Sequence, residues 1–506
     1  MERLGIAGPL SRSQREGRVK GVQSSRLRVL NDAPVQSNGK FVLYWMVASR
    51  RTRFNFGLEH AIDRARELDK PLVVLEALRI DYPWASERFH RFVIDGMADN
   101  AERFRSADVH YYPYVEPRPR AGKGLLSELS RHACAIVTDD FPAFILPRML
   151  EAAARKSDVR MEAVDSNGLL PLSAADRAFP TAHSFRRFLQ RELREHLAAF
   201  PKANPLVRLK LPSLGRIPAP ILKRWPKASK SVLAGSDKRL RMLPIDRTVG
   251  ATEMTGGSVA GRTALRRFIK RIDRYAEDRN LLDVEVTSGL SPYLHFGHLS
   301  SHEACRNVLD REDWTIDQLD AGASGSRVGW WGLSPSAEAF LDQLVTWREL
   351  GYNMCRHRGD YDRFESLPEW AIRTLEDHAQ DTREHVYSLE QFESAATHDA
   401  LWNCAQRQLR RDGTIHNYLR MLWGKKILHW SENPLNALET MIELNNKYAL
   451  DGRNPNSYSG IFWVLGRYDR PWGPERPIFG KVRYMTSSNT ARKLRTAGYL
   501  ERYGKD

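Results

Sequence analysis

FVLYWMVASRRTRFNFGLEHAIDRARELDKPLVVLEAL, residues 41–78, holds the repeating unit of the fold. FVLYWM (41–46) is a short unbroken apolar run, as a strand covered on both faces requires. NFGLEHAIDRARELD (55–69) spaces its apolar residues along one helix face, and PLVVLEAL (71–78) reads as a second strand. The pattern recurs downstream. A helix over 89–106 leads to DVHYYPYV (108–115), a helix over 124–133 to CAIVTDDF (134–141), and a helix over 143–157 to VRMEAVD (159–165). Five strands alternating with helices predict an α/β domain over 39–182, built on a doubly wound five-stranded parallel sheet. No GxGxxG follows the first strand, where WMVASRRTRFN stands, so the common dinucleotide fingerprint is absent.

Outward from this block the composition changes. Residues 1–38 lack periodicity, are rich in Arg, Ser and Gly, and read as a flexible basic arm. HSFRRFLQRELREHLAAF (183–200) is a basic amphipathic helix. Residues 207–242 hold ten Lys or Arg against one Asp, with prolines at 212, 218, 220 and 226, so 183–258 reads as a helix followed by a basic surface linker. Residues 259–506 show long helical segments without strands and form an all-α domain.

The whole chain of 506 residues is 42% hydrophobic and 28% charged, ordinary for a globular protein. No apolar run is long enough to span a membrane, and the N-terminus lacks the apolar region of a secretory signal. Cys134, Cys305, Cys355 and Cys404 lie far apart, which suits neither a disulfide framework nor a metal site and fits a reducing cytoplasm. A net charge of +16 attracts polyanions, nucleic acid above all, although it also aids solubility. Of 13 tryptophans most lie beyond residue 310, which calls for an aromatic-rich core or an aromatic-lined cavity.

Three segments carry chemistry. In VTSGLSPYLHFGHLS (286–300), Thr287, Ser288 and Ser291 flank Gly289, and Pro292 is placed to open a helix. Such hydroxyls beside free backbone N–H groups suit a phosphate, or simply cap a structural helix. In LWNCAQRQLRRDGTIHNYLRMLWGKKILHW (401–430), Trp423 and Trp430 share a helix face, and Trp402 can approach them across the Asp412–Gly413 break. Asn403, Gln406, His416, Asn417 and Arg420 form a polar set beside them, suited to a buried heteroaromatic cofactor. Residues 443–485 are too rich in Gly, Pro, Asn and Asp for continuous helix and read as a long structured loop, in which Asp451 can pair with Arg420. Trp463 and Trp472, among Arg453, Arg467, Arg470, Arg476, Lys481 and Arg483, suit a splayed nucleobase and its phosphates.

These three segments resemble the flavin-binding domain of the photolyase/cryptochrome family. KKILHW, LDGRNPN, ERPIFGKVRYM and the early VLYWM are most similar to class II cyclobutane pyrimidine dimer photolyases. The resemblance implies an antenna-type α/β domain, whose own chromophore it does not identify, and a helical domain holding a U-shaped FAD. It implies that Tyr275, Thr287, Ser288, Leu290 and Ser291 contact the flavin nucleotide, and that Asn417, Arg420 and Asp451 surround the isoalloxazine. Asn445 would stand near the reactive edge of the ring. Trp423, Trp402 and Trp430 would be the proximal, middle and distal members of a photoreduction chain that reaches the surface. Asp342, Met421 and Trp463 would face the lesion, while Arg470 and Lys481 would hold the DNA backbone. The implied partner is UV-damaged DNA, bound by a monomer associated with the nucleoid. Four departures stand out: Asp342 replaces a usual glutamate, Gly289 a usual asparagine, Trp347 a usual basic residue, and 311–337 matches poorly. A flavin photosensor without repair activity, a cofactor-free DNA-binding module and an iron–sulfur relative are the competing readings.

Overall fold

The computed structural model describes residues 21–236 and 238–505. Its sheet has six strands: β1 Leu27–Val29, β2 Phe41–Met46, β3 Leu72–Leu78, β4 His110–Val115, β5 Ala133–Asp139 and β6 Met161–Val164. Their spatial order is β1-β6-β5-β2-β3-β4. The five strands from β2 to β6 pair in parallel, and β1 adds an antiparallel edge against β6. Every residue of β2 and β5 is buried, as the unbroken apolar runs require. Helices α1 (Phe56–Glu67), α2 (Glu87–Arg105), α3 (Leu125–Ser130) and α4 (Leu146–Ala154) cover the sheet. Asn55 fixes the start of α1 by accepting the Leu58 N–H.

The added strand corrects the flexible arm. Residues 1–20 lie outside the described residues, but Leu27–Val29 in the rest of that segment pair with β6. Arg26 is 2% exposed and donates to the carbonyls of Gly168 (3.1 Å) and Leu169 (2.6 Å). A three-residue strand is too short to show a period, and a buried arginine satisfied by carbonyls looks in sequence like a surface one. The basic linker is also docked rather than loose. Ile217, Ile221 and Trp225 join the core of the α/β domain, and the Trp225 indole N–H donates to the Ala121 carbonyl.

The long helix α5 (Ala182–Leu197) leads to the linker, and α6 (Gly257–Ile269) opens the helical region. Pro335–Leu341 and α7 (Arg348–His357) form one continuous helical rod, joined by a π-helical stretch at Asp342–Trp347. Then follow α8 (Ala400–Asp412), α9 (Asn417–Trp430), α10 (Pro434–Tyr448) and α11 (Pro455–Val464). Asp399 caps α8, and Gly413, at φ 70°, ends it. Asn-Pro pairs start both α10 and α11, the asparagine accepting a first-turn N–H in each. The long loop expected over 443–485 is therefore shorter. Its first residues complete α10, and its middle is α11. Glycines let α11 lie against two helices at once: a Cβ on Gly351 would stand 2.7 Å from Ser459 Oγ, and one on Gly424 2.5 Å from the Val464 side chain. No described helix is long and apolar enough to cross a membrane.

Candidate flavin and lesion site

The break between α8 and α9 sets the first half of the site. Gly413 turns the chain so that the two helices lie side by side, and the Trp402 indole N–H donates to the Trp423 carbonyl at 3.0 Å. Trp423 in turn donates to Gln406 Oε1 at 2.9 Å. The Trp402 and Trp430 rings meet edge-to-face, 6.1 Å apart. The three indoles form one buried run, and all are 3% exposed or less. Trp430, expected to end the run at the surface, is itself 2% exposed. Tyr387 and His398 cover it, their rings 5.8 and 4.9 Å from its own.

One turn ahead of Trp423, Arg420 reaches the loop after α10 and donates to Asp451 at 3.1 Å. Both side chains stay partly accessible, and Asn417, at the start of α9, is exposed. Asn445, on α10, is 4% exposed and donates to Ser457 Oγ at 2.7 Å. The 286–291 turn carries Thr287 and Ser288 half-buried, Leu290 buried and Ser291 exposed. Gly289 takes φ +63°, with open space where a Cβ would point. The helix that follows, Ser291–His295, is little more than one turn. Tyr275 packs against Phe268 and Phe340. Burial raises its phenol pKa and Arg279 opposes that.

The second half lies along α7 and α11. Trp347 and Trp463 stack nearly parallel, with centroids 4.5 Å apart and planes 17° apart, and both are half-exposed. Trp347, a departure in sequence, thus makes an aromatic wall with a residue expected there. Met421 is half-buried on α9. Asp342 is held by an ion pair: its carboxylate accepts from Arg186 Nε at 2.8 Å, and both side chains are under 10% exposed. It opens the π-helical stretch and is held by Arg186 of α5. A π-bulge inside a helix frequently marks a functional site. Within the largely exposed segment 311–337, Trp330 and Trp331 are buried edge-to-face at 5.0 Å, and Glu338 accepts two backbone N–H groups of that loop. Arg470 and Arg483 lie 5.0 and 5.5 Å over Trp472, which is 38% exposed, and Lys481 pairs with Glu475 at 3.2 Å.

The α/β domain holds a cavity of about 530 Å³ that the sequence did not signal. It opens at the carboxyl ends of the parallel strands, where open α/β sheets bind ligands. Trp45, Tyr114, Phe141 and Phe144 wall it, and Phe296 and Arg453 reach in from the helical side. Arg453 is 3% exposed, lies 3.5 Å over the Phe89 ring, and leaves Nη2 without a partner. Burial lowers its pKa to about 10. The four cysteines are free and buried.

A parallel α/β sheet domain is thus joined to a helical domain that holds a buried tryptophan run beside an Arg–Asp pair. No family model matches the chain. A deoxyribodipyrimidine photo-lyase from Methanothermobacter thermautotrophicus is 33% identical over 483 residues, covering 95% of this chain and 98% of that one. Those from Arabidopsis thaliana (32% over 488 residues, 95% and 92%) and Potorous tridactylus (30% over 485 residues, 94% and 83%) are similarly related. A solved bacterial class III photolyase from Agrobacterium tumefaciens shares the fold, with a TM-score of 0.66 at 18% identity over 92% of this chain and 86% of that one. The chain belongs to the photolyase/cryptochrome family.

Proposed function

We propose that this protein is a class II-like photolyase, which uses light and a noncovalent FAD to split cyclobutane pyrimidine dimers in DNA. The observation that carries the reading is the hydrogen-bonded, buried run Trp423–Trp402–Trp430 starting one turn from the accessible Arg420–Asp451 pair. The three relatives named above are photo-lyases, which favours repair over a photosensor.

The residues present fit a flavin nucleotide. Arg420, Asp451 and Asn417 offer a cation, an anion and an amide to the polar edge of an isoalloxazine, and all three keep accessible surface. Thr287, Ser288 and Ser291 offer hydroxyls to phosphates, and the open space at Gly289 lets a ligand approach the backbone. Asn445, fixed by Ser457, would hydrogen-bond the reactive edge. Reduced flavin, when bound and excited, supplies the electron that opens the cyclobutane ring and takes it back afterwards.

The rest falls to the chain. A dimer stacked in duplex DNA cannot reach a buried site, so it must be flipped out, at a cost of a few kcal/mol. Arg470, Arg483 and Lys481 would hold the backbone while Trp347 and Trp463 stack against the extruded bases. The Arg420–Asp451 pair would fix the charge beside the cofactor. The tryptophan run would return electrons from outside and takes no part in the repair step itself. The cavity in the α/β domain, aromatic-walled and close to Phe296 and Arg453, would seat a second, light-collecting chromophore.

The test is Trp423→Phe. Photoreduction of bound flavin should fail while chemically reduced enzyme still repairs dimers; unimpaired photoreduction would reject the assignment.

A further inference from the structure

Two helix ends of the helical domain are held from the α/β domain. An α-helix leaves its last four carbonyls without intrahelical partners, and its aligned peptide dipoles make that end negative. α8 ends at Asp412 and α10 at Tyr448, and one guanidinium serves both. Arg88, in the first turn of α2, is 4% exposed. Its Nη1 donates to the carbonyls of Tyr448 at 2.6 Å and Leu409 at 3.3 Å, and its Nη2 to the Arg410 carbonyl. Its Nε donates to the Gly250 carbonyl, in the linker, at 3.0 Å. Among the described residues no carboxylate pairs with it. Burial lowers its pKa to about 10, opposed by Tyr448 and Asp412, so it is charged at pH 7. A lysine lacks the planar fork that serves three segments at once.

A second contact crosses the same boundary. The Trp84 indole N–H donates to Glu443 Oε2, on α10, at 2.8 Å. Trp84 holds φ at +63°, an outlying conformation for a bulky residue that persists only where its surroundings fix it. The ends so held carry the flavin-facing groups. α8 bears Trp402, and Asn445 stands three residues before Tyr448. Three residues beyond Tyr448 comes Asp451, the partner of Arg420. The Leu450 N–H donates to the Gly413 carbonyl at 2.8 Å, which ties the turn after α10 to the break after α8.

We infer that Arg88 is a positioning residue for the flavin site: it clamps the carboxyl ends of α8 and α10 together and so sets where Asp451 and Asn445 stand relative to the tryptophan run. The inference rests on the flavin reading above. It gives the α/β domain a task separate from light collection, that of holding the cofactor site in its working geometry. Without the clamp the freed carbonyls turn to water and the two ends separate. Asp451 then leaves its alignment with Arg420, and bound flavin shifts relative to Trp423, from which electron transfer falls steeply with separation.

The experiment compares full-length wild type with Arg88→Met, Arg88→Lys and Trp84→Phe, and takes Arg26→Met as control. Arg26 is likewise buried and bound to carbonyls, but those of the loop after β6. FAD affinity is read by fluorescence titration, photoreduction yield by flash absorption at saturating FAD, and stability by thermal unfolding. Arg88→Met should raise the Kd for FAD about tenfold and lower the yield even at saturation. Arg88→Lys should fall between, since it keeps the charge at the helix ends and loses the fork. Trp84→Phe should move both readouts the same way and less. Arg26→Met should lower the unfolding midpoint and leave both flavin readouts unchanged. A folded Arg88→Met with wild-type Kd and yield would overturn the inference, as would an Arg26→Met that moves both as far. If Arg88→Met does not fold, Arg88→Lys decides by the same readouts. A wild type that takes up no FAD would instead bring down the flavin reading itself, and the clamp with it.

Discussion

Lys425 offers a quantitative test of how the helical domain is assembled. Its side chain runs between α9 and α11, 1% exposed, and Nζ donates to the Val464 carbonyl at 2.5 Å. Val464 closes α11, so the ammonium lies where the helix dipole is negative. That contact does not offset the loss of water. Burial, helped by Arg483 and opposed by Asp469, lowers its pKa from 10.5 to about 7. The unfolded chain binds this proton below pH 10.5, the folded protein only below about 7. The folded state is therefore penalised progressively as pH falls from 10.5 to 7, and by a constant amount below that. At about 1.4 kcal/mol per pH unit the full penalty is about 5 kcal/mol. Lys425→Met keeps the length of the stem and removes the charge. It forfeits a charged hydrogen bond of about 2 kcal/mol, so we expect a net gain of about 3 kcal/mol at pH 7. The assay is denaturant unfolding of both proteins from pH 7 to 10, followed by tryptophan fluorescence. The advantage of the variant should shrink steadily with rising pH. A difference that does not change with pH, or a variant less stable than wild type at pH 7, would refute the reasoning.

Arg186→Leu should destabilise by about 3–5 kcal/mol, because it leaves Asp342 buried without its cation; adding Asp342→Leu should recover most of that in the same unfolding assay. Trp463→Ala should weaken binding of dimer-containing duplex by about 1–3 kcal/mol and leave undamaged DNA unaffected, as read by titration in the dark; equal losses on both would place Trp463 outside the lesion hole. If about 6 phosphates are contacted, affinity should fall about 10³-fold between 50 and 200 mM salt, measured by the same titration.

The α/β half was legible because its signals are local. Each predicted strand is found within a few residues of its expected place, since unbroken apolar runs and a helical period need no knowledge of partners. The edge strand at Leu27–Val29 was not, because three residues carry no period and Arg26 finds its carbonyl partners some 140 residues away. In the helical half, the approach of Trp402 to Trp423 follows from the Gly413 break, whereas the Arg420–Asp451 pair joins a helix to a loop 31 residues on and was suggested only by opposite charge. Other features depend on long-range placement. The Asp342 carboxylate meets Arg186 only after α5 docks, and the Trp347–Trp463 stack joins residues 116 positions apart. The cavity of the first domain is lined from seven separate stretches between Trp45 and Arg453, which no window of sequence shows together.

The central claim is that the helical domain brings a light-excited flavin to an extruded pyrimidine dimer. Chemically reduced, flavin-loaded protein mixed with a duplex carrying one thymine dimer, then illuminated with blue light, tests it directly. Chromatography of the digested product should show two intact thymines after illumination and the dimer unchanged in the dark. A dimer that survives illumination while flavin and DNA both remain bound would contradict the account.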